Sequence, residues 1–267
     1  MSMLWKFALI LVALWAGLVA LFALMQGSIL FPRAMVGPAP ALPEDTRRLT
    51  LPRPDGSELQ GVLIPGDDPA RPVILGFGGN AWNAESVALF LHELLPAHSV
   101  AAFHFRGYAP STGRPSASAL KADSLAIHDL LRDEGHADLL AIGFSIGAGV
   151  AAHLTSEREV TGAVLVTPFD SLAAVARQSL PWAPVRLFFR HDMDALGALA
   201  DGTAPVALIL AARDEVIPPA RAEALVTGLE EAGRTPHVQR LAAGHNDIYG
   251  HPDFPDALRQ AVEALRD

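Results

Sequence analysis

The stretch from Leu140 to Ala151 constrains the fold of this chain more than any other part of its sequence. An apolar, β-prone run leads into Gly143-Phe-Ser145-Ile-Gly147, and small residues compatible with a helix follow. A serine in a Gly-x-Ser-x-Gly turn between a strand and a helix is typical of a nucleophile held at the end of that strand. Because the turn is so tight, we predict a strained backbone at Ser145, where glycines avoid clashes that a Cβ atom would cause.

The oxyanion that forms when a serine attacks an acyl group must also be stabilised. The amino end of the following helix carries positive partial charge, and backbone N–H groups are the usual donors. We assign one donor to Ile146, directly after the serine, and the other to Asn80, in the Gly-rich turn after the strand that ends at Phe77. The alternative is that this second segment is a simple Gly-rich turn.

A serine hydroxyl is a poor nucleophile at neutral pH, so it needs a base, and the base needs an orienting acid. His245 lies in a Gly-containing turn just after the last predicted strand and is the predicted base. Asp214 follows another buried strand and gives the chain order Ser, Asp, His, so it is the predicted acid. Glu215 and Asp170 remain alternatives for the acid. The competing interpretation is that His245 and Asp214 only cap the helices that follow them.

Strands and helices alternate through most of the chain, with a hairpin signal at Asp55-Gly56. The sequence predicts strands over 48–51, 58–64, 73–77, 100–105, 139–144, 163–166, 206–210 and 237–241, and helices over 84–95, 118–133, 146–155, 221–232 and 254–265. This alternation indicates a mostly parallel sheet with helices on both faces. The long connection over 170–202 is predicted to be a cap over the site; an ordinary helix pair that covers one sheet edge is the alternative.

The N-terminus contains an apolar run without a charged residue, from Phe7 to Met25. As a helix rising about 1.5 Å per residue it would extend roughly 28 Å, close to the thickness of a bilayer's hydrocarbon core. A signal peptide has a shorter run and a small-x-small cleavage site, and a buried core helix would show a polar face. We therefore predict a retained, single-pass membrane anchor. Charges on both sides leave its orientation weakly determined, with a slight preference for a catalytic domain outside the cytoplasm.

Composition excludes several classes of function. The chain has no cysteine, which rules out disulfides, thiolate metal sites and a cysteine nucleophile. Its net charge of −9, without a basic stripe, argues against nucleic acid as a partner. The Gly-rich stretch 143–149 lacks the lysine of a phosphate-binding loop, and no metal-ligand spacing is present. We therefore expect neither a cofactor nor a metal.

Three further motifs resemble a known family. They are the segment 103–116 (Phe-His-Phe-Arg-Gly-Tyr-Ala-Pro-Ser-Thr-Gly-Arg-Pro-Ser), the segment 167–171 (Thr-Pro-Phe-Asp-Ser) and the segment 244–247 (Gly-His-Asn-Asp). With the serine turn, they make the chain over 46–266 similar to the α/β-hydrolase superfamily, and within it to the membrane-anchored serine hydrolases of the α/β-hydrolase-domain type. Two positions depart from that pattern: Gly78 replaces the histidine of the oxyanion turn, and Ala109 replaces a glycine.

The resemblance implies that Ser145 is the nucleophile, Asp214 the acid and His245 the base of a serine hydrolase. The apolar run gives an anchor and juxtamembrane segment over 1–33, and the Pro-rich stretch after it, over 34–45, is predicted to be an extended spacer. The resemblance implies an α/β-hydrolase domain over the remainder, 46–267. The expected activity is cleavage of a carboxylic ester or thioester, small or lipid-like, through an acyl-serine intermediate. A non-catalytic binding protein and an acyltransferase are the alternatives, because the fold does not select among these functions. The oligomeric state is left open.

Overall fold

An eight-stranded sheet forms the centre of the computed structural model, which describes residues 3–266. Residues 1, 2 and 267, at the ends of the predicted anchor and hydrolase domain, lie outside the described residues. The strands are β1 (Arg47–Pro52), β2 (Glu58–Ile64), β3 (Val73–Phe77), β4 (Val100–Phe103), β5 (Leu139–Phe144), β6 (Gly162–Val166), β7 (Val206–Ala211) and β8 (His237–Leu241). Their order in the sheet is β1-β2-β4-β3-β5-β6-β7-β8.

The sheet is parallel except at one edge. The pairs β1–β2 and β2–β4 are antiparallel, and every pair from β4 to β8 is parallel. Every residue of β3, β5, β6 and β7 is buried, as expected for strands that have helices on both faces. The carboxyl ends of these parallel strands lie at one rim of the sheet, where ligand sites of such folds are found.

Helices pack on the two faces of the sheet, and two apolar clusters fill the space between. The helices are α1 (Met3–Leu30), α2 (Ala84–Leu94), α3 (Ala117–Asp133), α4 (Ile146–Glu157), α5 (Leu172–Ser179), α6 (Val185–Phe188), α7 (Ala195–Ala200), α8 (Pro219–Glu231) and α9 (Phe254–Glu263). The predicted fold class, an α/β-hydrolase fold with a mostly parallel sheet, is therefore confirmed.

The predicted extent of β4 is wrong by two residues, because the strand ends at Phe103 and not at Phe105. The sheet pattern stops at His104, whose ring turns to the first turn of α2 and lies 2.6 Å from Glu85. The pairing with β3 ends at Ala102 and the pairing with β2 at Phe103, so residues 104 and 105 lie beyond the regular sheet.

The segment 170–202, called the cap segment below, contains α5, α6 and α7. Its two ends are held together by a β-bridge between Ser171 and Asp194, and each of these side chains also caps a helix. Such caps stabilise a helix by about 1 kcal/mol each. α7 packs on α4 and α8, whereas α5 lies over the end of β5. The segment thus combines features of both predicted alternatives, a covering helix and a cap.

α1 is the one helix in the described part of the chain that is long and apolar enough to cross a membrane. Only 6% of its most apolar window is buried, so the alternative of a buried core helix is wrong. The Pro-rich linker that follows is fastened to the body, because the Asn83 side chain donates to the carbonyls of Gly37 (3.1 Å) and Pro38 (2.9 Å).

Candidate active site

Ser145 sits on the turn between β5 and α4 with φ 53° and ψ −118°. Positive φ is unusual for a residue other than glycine, so the strained backbone predicted from the sequence is present. Gly143 and Gly147 must both be glycine because neighbouring backbone atoms lie where a Cβ atom would be. A Cβ atom on Gly143 would overlap the Gly147 carbonyl, and one on Gly147 would overlap the carbonyl of Phe77. The turn therefore packs tightly against the end of β3 while it presents the serine at the sheet rim.

His245 links the serine to an acidic side chain. Its Nε2 lies 3.0 Å from the Oγ atom of Ser145, and its Nδ1 lies 2.7 Å from the Oδ2 atom of Asp214. His245 and Asp214 are 5% and 8% exposed, so little water competes for these hydrogen bonds. In this arrangement Nδ1–H donates to the carboxylate, and Nε2 is free to accept the proton of the serine hydroxyl.

Local hydrogen bonds hold both the Asp214 side chain and the loop that carries His245. The Oδ1 atom of Asp214 accepts from the N–H groups of Val216 (2.9 Å) and Ile217 (2.7 Å), which leaves Oδ2 directed at the histidine. Glu215, one alternative for the acid, instead accepts from the backbone N–H of His245 at 3.0 Å. It therefore holds the loop that carries the base.

The second alternative acid, Asp170, lies away from the histidine. It pairs with Arg221 of α8 at 3.1 Å. Of the three acidic candidates, the structure thus brings only Asp214 to the imidazole ring of His245. The choice between neighbouring acids depends on side-chain direction, which the sequence pattern does not give.

Asn80 and Ile146, the predicted oxyanion donors, line the same cavity as Ser145. The turn that carries Asn80 is held from behind, because the Tyr108 hydroxyl donates to the Asn80 carbonyl at 2.7 Å. Tyr108 is 1% exposed, and burial raises the pKa of its hydroxyl, so the group remains a protonated donor. Sequence reasoning identified the segment of Tyr108 only as a family motif; the structure shows that Tyr108 supports the turn that carries Asn80.

Five aromatic side chains pack behind the site with ring centroids 4.9–6.4 Å apart: Trp82, Phe90, Phe144, Tyr249 and Phe254. They join the residue before the serine to the loop that follows the histidine. Burial raises the pKa of Tyr249 to about 12, so its ring stays uncharged in this apolar cluster. The sequence analysis did not identify this cluster, because its members come from four separate segments.

A cavity of about 290 Å³ opens beside Ser145. Its size is at the lower end of the roughly 300–1,000 Å³ typical of small-molecule pockets. Most of the side chains that line it are apolar, and they come from α1, the loop after β6, the cap segment and the loop after β7: Phe22, Ile29, Leu30, Phe169, Leu172, Val175, Leu180, Phe189, Val216 and Ile217. Among residues 3–266, no cluster of three His, Asp or Glu side chains is arranged to hold a metal ion.

Several proteins are similar to this chain. The uncharacterized protein Rv2307c of Mycobacterium tuberculosis is 34% identical over 249 residues, which cover 89% of this chain and 84% of that protein. The lysophosphatidylserine lipase ABHD12 of Gallus gallus is 27% identical over 72% of this chain and 58% of its own length. The solved structure of the Pyrococcus furiosus esterase Pf2001 superposes with a TM-score of 0.70 at 19% identity, covering 87% of this chain and 96% of that one. No protein-family model matches the chain.

The parallel sheet, the strained serine turn at its rim and these likenesses together define the class. The chain belongs to the α/β-hydrolase superfamily. The likeness to the esterase structure, at 19% identity, supports the fold and not the activity.

Proposed function

We propose that this protein is a membrane-tethered serine hydrolase that cleaves carboxylic esters or thioesters through an acyl-serine intermediate. The observation that carries the proposal is the continuous chain of contacts from Asp214 through His245 to Ser145, with distances of 2.7 and 3.0 Å. A neutral imidazole between a carboxylate and a hydroxyl is the arrangement that activates a serine for attack on an acyl carbon.

In the proposed reaction, Nε2 of His245 takes the proton of Ser145 as its Oγ bonds to the substrate's carbonyl carbon. The N–H groups of Asn80 and Ile146 stabilise the negative oxygen of the tetrahedral intermediate. The protonated ring then gives its proton to the departing alcohol or thiol, which leaves an acyl-serine. His245 next takes a proton from water as the water oxygen bonds to the acyl carbon. The protonated ring then returns this proton to the Oγ of Ser145 as the bond between serine and the acyl carbon breaks and the acid leaves. Asp214 stabilises the ring while it is charged.

One of the similar proteins supports ester cleavage, because it is named a lysophosphatidylserine lipase. The apolar lining of the cavity beside Ser145 also favours an acyl group over a charged substrate. We extend ester hydrolysis to this chain on these grounds. The members of the fold differ in leaving group, so ester and thioester substrates both belong to the proposal.

The attachment to a membrane is proposed from α1 and its surroundings. The 28 residues of α1 would extend about 42 Å. Because α1 contacts the cap segment from Trp15 onward, the helix spans a hydrocarbon core of about 30 Å with part of the cap segment embedded beside it. Three large side chains of the cap segment are exposed beside this helix: Trp182, Leu187 and Phe188. Between 172 and 191 the chain has three arginines and no acidic residue: Arg177, Arg186 and Arg190. Apolar and aromatic side chains flanked by arginine fit a surface of anionic lipid.

A retained helix fits these contacts better than a cleaved signal peptide, because α1 forms hydrogen bonds with the cap segment. Resistance of the full chain to extraction from membranes by alkaline carbonate would support the anchor. The position of the catalytic domain outside the cytoplasm stays a prediction from charge, and a reporter fused at the C-terminus tests it.

The Ser145→Ala variant is the decisive test of the chemistry. We expect it to lose fluorophosphonate labelling and to hydrolyse p-nitrophenyl butyrate about 10⁵-fold more slowly, because no other group can form the acyl intermediate. Ser156→Ala, on the exposed side of α4, is the matched control and should retain wild-type activity. If labelling survives in Ser145→Ala, the assignment of the nucleophile is wrong. A folded wild-type protein that neither labels nor hydrolyses esters would instead favour a non-catalytic binding protein.

A further inference from the structure

The second half of α1, from Trp15 to Leu30, contacts the cap segment through one face of the helix. The contacting positions follow the helical spacing of three and four residues: Trp15, Val19, Phe22, Ala23, Gln26 and Leu30. The opposite face, which includes Leu21 and Met25, is exposed along its length. A helix that served only as an anchor would not need such a face directed at the body.

The side chain of Gln26 is the strongest part of this contact. It is 3% exposed, its amide donates to the Phe188 carbonyl at 3.0 Å, and its carbonyl accepts from the Arg190 N–H at 2.8 Å. Both ends of one carboxamide are thus bonded to the backbone after α6. A carboxamide in an apolar helix is costly unless it is paired, so these bonds fix how α1 is rotated and placed against the cap segment.

The face held in this way lines the cavity beside Ser145. Phe22, Ile29 and Leu30 form one wall, and Val175 of α5 and Phe189 belong to the rest of the lining. Without α1 the cavity would lose that wall and become a groove open to its surroundings. With α1 present, the space beside the serine is enclosed by apolar side chains on both sides.

We infer that α1 is a component of the active site as well as an anchor: it forms one wall of the pocket for the acyl chain of the substrate, and Gln26 positions that wall. This inference rests on the proposed function, since it gives the pocket an acyl occupant. It assigns selectivity for acyl-chain length to the transmembrane helix. An acyl chain that leaves the bilayer along α1 reaches Ser145 without crossing water, which favours esters of membrane amphiphiles over soluble short-chain esters.

Substitutions on the two faces of α1 test the wall. The full-length protein in detergent micelles would be assayed with p-nitrophenyl acetate, butyrate, octanoate and laurate. Ile29 is half exposed and lies at the edge of the pocket, so Ile29→Trp places a larger side chain across the pocket mouth, and we expect the laurate-to-acetate ratio of kcat/KM to fall at least tenfold. Leu21→Trp introduces the same side chain on the exposed face and should leave that ratio within twofold of wild type. Equal ratios in Ile29→Trp and wild type would overturn the inference.

Gln26→Leu tests the positioning role, because leucine has a similar volume and cannot form either bond to the cap segment. We expect KM for laurate to rise about fivefold while kcat falls less, since the wall is displaced and the serine is untouched. Unchanged KM for laurate would contradict this role. Labelling of Ser145 by fluorophosphonate in each variant shows that the site has folded.

The same experiment separates the two proposals. If wild type labels and hydrolyses esters but its chain-length profile does not respond to Ile29→Trp or Gln26→Leu, the proposed function stands and the role of α1 in the pocket is wrong. If wild type hydrolyses none of the four esters, the proposed function fails, and the acyl pocket fails with it.

Discussion

Two buried pairs of histidine and carboxylate in this protein have nearly the same distance between a ring nitrogen and a carboxylate oxygen. At the sheet rim, His245 lies 2.7 Å from Asp214, and near the antiparallel edge His104 lies 2.6 Å from Glu85. All four residues are less than 9% exposed. Each histidine also follows closely on the end of a strand, β8 or β4. Distance and burial therefore do not distinguish the two pairs.

The two pairs differ in the hydrogen-bond partner of the other ring nitrogen of the histidine. Nε2 of His245 lies 3.0 Å from the hydroxyl of Ser145, whereas Nδ1 of His104 is buried and has no hydrogen-bond partner among the described residues. Glu85 instead forms a second ion pair, with Arg48 at 2.7 Å. Burial, which outweighs the attraction of Glu85, lowers the pKa of His104. A buried pair can thus serve structure or proton transfer, and a third group in line with it decides which.

The largest contrast is expected in catalysis. Asp214→Asn should lower kcat for p-nitrophenyl butyrate about 10⁴-fold, because an amide no longer holds the ring in the correct tautomer or stabilises its charge. Glu85→Gln changes the corresponding atom of the other pair and should leave kcat within about twofold. Comparable losses in the two variants would show that the pairs are not functionally distinct.

A smaller and opposite contrast is expected in stability. Glu85→Gln should lower the free energy of unfolding by about 1–3 kcal/mol, because it removes the charged acceptor shared by His104 and Arg48. The measurement is urea unfolding of the full chain in detergent, followed by tryptophan fluorescence. Glu223→Gln, which breaks an exposed pair with Arg240, is the control and should change stability by less than about 1 kcal/mol. If Glu85→Gln and Glu223→Gln change the free energy of unfolding equally, the structural role assigned to Glu85 is wrong.

The smallest effect concerns pH. The folded-state pKa of His104 is lowered, so between that value and about 6.5 the unfolded chain binds more protons than the folded one, and stability falls as pH falls through this range. Each such proton changes the free energy of unfolding by about 1.4 kcal/mol per pH unit. His104→Asn should reduce the slope of stability against pH between 7.5 and 5.5. A slope unchanged in this variant would contradict a buried, neutral ring.

Part of that slope should remain in His104→Asn. Three other histidines have pKa values lowered by burial and contribute with the same sign: His98, His153 and His191. The comparison of slopes therefore isolates the contribution of one ring.

The sequence predicted the elements and the approximate site because these depend on local patterns. Apolar runs marked the strands, and Gly143, Ser145 and Gly147 marked the turn at which the chain must be strained. Strand-end positions then led to Asp214 and His245. The same reasoning did not find the second buried pair, His104 with Glu85, because only contacts across the fold bring these two residues together.

Other features depended on residues distant in the chain and were not predictable from local pattern. Tyr108 supports the turn of Asn80 through a hydrogen bond, and Gln26 meets the backbone at Phe188 and Arg190. The linker was expected to be an extended spacer, yet Asn83 holds it against the body. The presence of glycine at position 78, where the family has histidine, is explained only by the structure, because a Cβ atom on Gly78 would overlap the side chain of Val87.

For the proposed membrane-tethered hydrolase, the contacts of Asn83 limit how the protein can search for substrate. The Asn83 side chain both caps α2 and binds the linker, so in the proposed membrane-bound state the distance from the lipid surface to Ser145 is set by folded structure instead of by a flexible tether. An enzyme mounted in this way samples its surroundings in two dimensions. Its turnover is then governed by the mole fraction of substrate in the surrounding leaflet, and diluting the suspension with buffer leaves that quantity unchanged.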